Sequence, residues 1–328
     1  MLKTYLETSK QSIEHWLSAV LNSPIPEYKR LYESMNYSLL QGGKRIRPIL
    51  TKAVLDAMKV DASLYKEFLC ALECIHTYSL IHDDLPAMDN DDYRRGNLTN
   101  HKVYGEGMAI LAGDGLLTYA FQLMTENKTA TPQQKIDAIK CVATAAGPEG
   151  MVGGQAFDML SEDKHIPLEE LKVLHSGKTG ALFNASVELG LILGNADTTT
   201  RKALMEYANC LGLLFQITDD IMDYRETTET TGKPVGNDLR EGLLTYPLLS
   251  IVNDDNKDKL LEDIKALNNG GDEQAIIDYV IGQGGIDNTL AVANQYCKDA
   301  LAALDAVRDF PGKEFLVMAV ENLADRKV

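Results

Sequence analysis

Six segments of this chain, 66–82, 107–124, 134–147, 168–193, 201–224 and 289–307, repeat apolar residues at spacings of three and four. They are rich in Ala, Leu and Met, and such a pattern held over so many residues predicts long α-helices. Alternating, β-branched stretches that would mark strands are hard to find. All ten prolines stand between these segments or at their edges, where helices start, stop or bend. Helices this long, and apolar on more than one side, belong in a bundle whose central members are surrounded by others. The expected fold class is all-α, a single domain over residues 1–328 built from about ten or more helices. The polar segments 194–200 and 252–258 read as surface connections, and NDDNKDKLLED as a solvated helix edge.

With 45% apolar residues in 328, the chain can bury a large core without a disulfide or a structural metal. The five cysteines, Cys70, Cys74, Cys141, Cys210 and Cys297, are odd in number and never spaced as CxxC, so neither a disulfide framework nor a zinc site is indicated. The N-terminal MLKTYLETSKQSIEHW lacks the basic start and apolar run of a targeting segment. No stretch reaches the roughly 18 apolar residues of a membrane span, so a soluble, cytoplasmic protein is expected. A formal charge of −16 argues against a nucleic-acid partner, which calls for a basic surplus. A small anionic substrate needs only local cations, and two clusters offer them: Lys44, Arg45 and Arg47 in one place, Arg94 and Arg95 in another.

One long-range echo stands out: an apolar helical stretch ends in an aspartate cluster near Asp83 and again near Asp219. In FQITDDIMDY, Asp219 and Asp223 fall about 40° apart on one helix face, close enough to converge on shared cations. Asp220 stands between them. Carboxylates that crowded cannot all stay ionised without protons or metal ions, and hard oxygen ligands on a rigid helix suit magnesium. The first cluster, IHDDLPAMDNDDYRRG, carries Asp83, Asp84 and Asp89, followed by Asp91 and Asp92. Six residues rotate an unbroken helix by about 240°, which would put Asp83 and Asp89 on different faces. An interruption at Pro86 lets two extra residues loop out and returns Asp89 to the side of Asp83.

The cations are set among glycines. GGKRIRP places Lys44 and Arg47 after two glycines that allow close backbone approach to an anion. HSGKTGALF and TTGKPVGNDLREGLLTYP each set a lysine, Lys178 and Lys233, beside glycine. His76 lies seven residues before Asp83, about 20° away around the same helix and two turns below it. Neither a GxGxxG nor a Walker-type pattern occurs, so a nucleotide-binding sheet has no support.

These residues resemble the trans-polyprenyl diphosphate synthases, and specifically the bacterial farnesyl type, from about residue 40 to 250. GGKRIRP, CIHTYSLIHDDLPAMDNDDYRRG, ILAGDGLLT, GMVGGQAFDM, HSGKTGAL, FQITDDIMDY and TGKPVGNDLREGLLTYP follow in that family's order and approximate spacing. The resemblance implies an isoprenoid-synthase bundle around a central cavity, and a homodimer. It implies condensation of isopentenyl diphosphate with an allylic diphosphate by ionisation, condensation and elimination, the departing diphosphate serving as base. Asp83, Asp89 and Asp219 are then the main magnesium ligands, supported by Asp84, Asp220 and Asp223 directly or through water, with three magnesium ions bridging to the allylic diphosphate. Arg94, Lys178 and Lys233 would hold that diphosphate, while Lys44, Arg47, His76 and Arg95 would hold isopentenyl diphosphate. Thr179 and Gln216 would face the reacting carbons. The expansion DDLPAMD and the aromatic Tyr78, five residues before Asp83, are similar to the farnesyl pattern. Ser79 lies nearer the Asp83 stripe than Tyr78, so a geranylgeranyl product stays open.

Two positions depart from the family. Leu243 stands where many relatives have a lysine, which weakens the expected grip on the allylic diphosphate, and Thr218 replaces a common glutamine. A class I terpene cyclase would share the bundle but lack the DDIMD and GGKRIRP pair. A non-catalytic subunit of a longer-chain synthase would have lost aspartates or arginines that are all present here.

Overall fold

The computed structural model describes residues 2–161, 164, 166–225, 237–240, 242–267 and 270–324. Its helices, in chain order, are α1 (Leu2–Val20), α2 (Lys29–Leu39), α3 (Ile46–Ala57), α4 (Lys66–Asp83), α5 (Asn100–Tyr104), α6 (Glu106–Glu126), α7 (Pro132–Ala146), α8 (Met151–Ser161) and α9 (Leu168–His175). There follow α10 (Ala181–Leu193), α11 (Thr198–Arg225), α12 (Asn237–Arg240), α13 (Tyr246–Leu249), α14 (Lys257–Leu267), α15 (Glu273–Gly282), α16 (Gly285–Asp305) and α17 (Lys313–Ala324). Fourteen of these run eight residues or more. Strand among the described residues is limited to the antiparallel pair β1 (Tyr93–Arg94) and β2 (Asn97–Leu98). The protein is all-α. Among the described residues no helix is long and apolar enough to cross a membrane.

The chain gathers into two compact units. The first comprises Met1–Ala143, Ala185–Asp197 and Asp309–Leu316; the second comprises Thr144–Asn184, Thr198–Arg308 and Val317–Val328.

In the first unit α4 is central. FLCALECI is apolar but for Glu73, and Phe68 through Ile75 are buried without a break, so the helix is enclosed by α1, α2, α3 and α6. Its closest neighbour is α6, where Gly113 permits the approach: a Cβ there would meet the His82 ring at 2.0 Å. His82 Nε2–H donates to the Ile110 carbonyl at 3.1 Å across the same contact. Buried Thr51 on α3 donates to the Ser186 carbonyl at 2.7 Å, fixing α3 against α10.

In the second unit the 28-residue α11 buries a residue every three or four positions from Ala203 to Tyr224 and packs along α16. The segment 168–193 is not one regular helix. A single π turn, Ser176–Gly180, joins α9 to α10. Gly154 on α8 makes room for it, since a Cβ there would lie 2.1 Å from the Lys178 backbone nitrogen. On the other side Gly212 of α11 crosses Gly180, where a Cβ would come within 2.9 Å of its Cα. Local widening of this kind re-aims side chains and is frequent at functional sites.

Candidate active site

In the first unit α4 stops at Asp83, as Pro86 requires: it has no N–H to give and bars Leu85 from helical geometry. The chain loops through Leu85–Met88 and closes on itself. Asp89 N–H donates to the Asp83 carbonyl at 2.9 Å, and left-handed Asn90 (φ 53°) donates to the Leu85 carbonyl at 3.1 Å. Asp83 and Asp89 are thus brought back together by a main-chain bond, Asp83 half-buried and Asp89 exposed. Asp84 turns inward, 3% exposed, and accepts from Arg94 Nε at 2.6 Å, while Arg94 Nη2 lies 3.6 Å from Asp91. Burial pushes the Asp84 carboxyl up to about 6 against the pull of Arg94, with the charges of Asp91 and Asp89 adding to the rise.

The guanidinium groups come from a hairpin. Arg95 (φ 54°) and Gly96 (φ 78°) form its two-residue loop, both with the positive φ that tight antiparallel turns demand. Arg95 Nη1 donates to the Gly42 carbonyl, bolting the hairpin to GGKRIRP. Gly43 (φ 124°) holds a backbone conformation that L side chains rarely adopt, and a Cβ there would stand 2.6 Å from Arg95 Nη1. Arg47 and Arg95 crowd one another, and burial together with that repulsion draws Arg47 down to about 10. His76 is pushed well below its ordinary value by burial and by Arg47, Arg95, Arg94 and Arg45, so it is neutral at pH 7. Lys44 is exposed. Arg45 does not belong with these cations at the surface: it is buried and paired with Glu73 Oε2 at 2.7 Å. The sequence cluster Lys44–Arg45–Arg47 is therefore two ligand-facing candidates and one internal anchor.

In the second unit the π turn holds Lys178, whose ammonium group pairs with Asp158 of α8. Thr179 beside it and Gln216 on α11, one turn beyond the Gly212 crossing, are half-buried. Asp219 is exposed and Asp223 half-buried, whereas Asp220 is 4% exposed and accepts from Tyr246 N–H at 2.9 Å, with His175 Nε2 3.6 Å away. Burial, with Asp223 and Asp158 nearby, raises Asp220 to about 7 despite that backbone donor, and burial lowers His175 to about 4. Thr218 faces the core and donates to the Leu214 carbonyl at 2.7 Å. Lys233 lies outside the described residues. Asp158, His175 and Glu73 are contacts that motif reading passed over. Asp220, named in the sequence with Asp219 and Asp223, is the one of the three turned inward, three residues after buried Ile217 and four before buried Tyr224 on one stripe.

Among the described residues no group of three or more His, Cys, Asp or Glu side chains could hold a metal ion by itself. Magnesium ordinarily takes one or two carboxylates and completes its octahedron with phosphate oxygens and water. The carboxylates at 83 and 89, and at 219 and 223, fit magnesium that arrives with a phosphorylated ligand.

The profile of the family described as polyprenyl synthetase matches residues 28–282. Farnesyl diphosphate synthase of Geobacillus stearothermophilus is 49% identical over 268 residues, 81% of this chain and 89% of its own. Geranylgeranyl pyrophosphate synthase 3, chloroplastic, of Arabidopsis thaliana is 46% identical over 253 residues, 75% of this chain and 69% of its own. Among solved structures, geranylgeranyl pyrophosphate synthetase from Pyrococcus horikoshii Ot3 superposes with a TM-score of 0.86 at 31% identity, covering 99% of each chain. Fold and relatives together define an all-α prenyltransferase. The chain belongs to the polyprenyl synthetase family.

Proposed function

We propose that this enzyme joins isopentenyl diphosphate head to tail with dimethylallyl and then geranyl diphosphate, giving farnesyl diphosphate. One observation carries the reading: within the first unit the carboxylate loop of Asp83 and Asp89 adjoins, through Arg94, a cationic set of Arg47 and Arg95 around neutral His76. Two diphosphates are thereby served differently, one chiefly through metal-binding oxygens and one by direct contact with side-chain donors. In the reaction the allylic C–O bond breaks, the isopentenyl double bond attacks the allylic cation, and the proton lost passes to the departed diphosphate. Magnesium bound by Asp83, Asp89, Asp219 and Asp223, with three ions as the family pattern suggests, would offset the charge on that leaving group. Arg94, Lys178 and Lys233 hold it, and Lys44, Arg47, Arg95 and His76 hold isopentenyl diphosphate. Asp84, paired with Arg94, and Asp220, which accepts the Tyr246 N–H, brace the outer carboxylates on the loop after α4 and on α11. We assign both units to one catalytic domain, working in the cytoplasm as a homodimer. Ile110 and Leu111, 45% and 55% exposed on the solvent-facing side of α6, are apolar enough to supply the interface.

The C15 product is supported by Tyr78, 5% exposed, its ring set edge-on to His82 at 5.8 Å below Asp83. A C20 product is the second reading. It is favoured by Ser79, about 40° from Asp83 around α4 against about 140° for Tyr78. Purified enzyme should be given magnesium, isopentenyl diphosphate and, separately, dimethylallyl, geranyl or farnesyl diphosphate, and the chain lengths read after phosphatase. C15 as the end product supports the farnesyl reading, C20 moves the product and keeps the class, and no condensation with any starter overturns the proposal.

A further inference from the structure

Arg45 is a non-glycine residue in the left-handed region, φ 53°, at the N-cap of α3. Such a backbone persists only where its surroundings hold it. Its own side chain does the holding. Nη1 donates to Glu73 Oε2 at 2.7 Å and Nη2 to the Leu39 carbonyl at 3.0 Å, with Glu14 Oε1 3.9 Å from Nε. The two paired side chains are 1% and 3% exposed. One guanidinium fork therefore ties three helices at one point: the end of α2 at Leu39, the middle of α4 at Glu73, and the start of α3 at Arg45 itself. The turn thus pinned, residues 40–44, presents the Gly42 carbonyl to Arg95 and precedes Arg47. Glu73 also sits one helical turn before His76, and its negative charge favours the charged forms of Arg47 and Arg95.

We infer that the buried Arg45–Glu73 pair is a positioning device for the isopentenyl diphosphate half-site, holding the 40–44 turn so that Lys44, Arg47 and Arg95 stand together before the anion arrives. The inference rests on the assignment of that half-site proposed above. Stability alone gives little reason for such a pair, because apolar side chains of similar volume commonly serve a fold as well as a buried ion pair. Removing one partner is another matter, since it strands a buried charge.

The test is a cycle of Arg45→Met, Glu73→Met and the double variant, measured by melting temperature and by separate KM values for isopentenyl and geranyl diphosphate. Each single variant should melt about 10 °C lower, and the double variant should regain most of that loss. In the recovered double variant, KM for isopentenyl diphosphate should stay about ten- to a hundredfold above wild type while KM for geranyl diphosphate is unchanged. A double variant with restored melting and a wild-type isopentenyl KM makes the pair merely structural and overturns the inference. Arg45→Lys keeps the charge opposite Glu73 but lacks the planar fork that reaches Leu39 as well. It should fold and show the same selective rise in KM, and an unchanged KM there also overturns the inference. A wild-type enzyme that condenses nothing would overturn the assigned function, and the inference with it.

Discussion

Asp84 and Asp220 are each the second residue of an Asp–Asp pair, and each is turned into the protein while its neighbour stays toward solvent. The inward residue braces and the outer one is left to meet ligand. Asp220→Ala would leave the buried Tyr246 N–H without its acceptor and should lower unfolding free energy by about 1–3 kcal/mol, whereas Asp220→Asn keeps an oxygen there and most of the stability. Asp219→Ala should do the reverse, cutting kcat/KM about 100- to 1000-fold with the denaturation midpoint unmoved. If both alanine variants lose stability equally, the division of labour is wrong. His76 makes a prediction in pH. Its folded pKa is depressed, so the unfolded chain takes up the proton first, and stability present above about 6.5 is lost as pH falls. His76→Gln, which does not titrate, should flatten that fall by up to about 1.4 kcal/mol for each pH unit below 6.5, read from denaturation curves at pH 7 and pH 5.

At the level of elements, the π turn depends on a missing side chain. Gly154→Ala would drive a Cβ into the Lys178 backbone nitrogen, so we expect a loss of about 1–3 kcal/mol from overpacking and a fall in kcat of roughly tenfold as Lys178 and Thr179 shift. Wild-type kcat in a folded Gly154→Ala enzyme would show that the turn has no part in positioning. Five of the six long segments were legible because helical periodicity is a local property, and α4, α6, α7, α11 and α16 lie where 66–82, 107–124, 134–147, 201–224 and 289–307 predict them. The escape of Asp89 at Pro86 was legible for the same reason: helix angles forbid any alternative that keeps Asp83 and Asp89 together. Arg45 was not. Lys44, Arg45 and Arg47 are all cations in one turn, and only Glu73, 28 residues on, decides which of them is drawn inside. The π turn was hidden likewise, because the room for it is left by Gly154 and Gly212 on separate helices.

For the whole molecule, the proposed homodimer predicts that Ile110→Lys with Leu111→Lys shifts the species seen by light scattering from two chains to one. An unchanged mass would remove α6 from the interface. The groups assigned to isopentenyl diphosphate come from three remote stretches, Arg47 opening α3, His76 inside α4 and Arg95 on the hairpin after it. They meet only in the finished fold, so the unfolded chain has nothing equivalent to offer the anion. A ligand bound by the native state alone stabilises it, by about 2.7 kcal/mol at a hundred times its Kd. Unfolded chains are what proteases remove, so each molecule would last longer while its five-carbon substrate is plentiful. Supply of that precursor would then set how much enzyme survives as well as how fast it turns over.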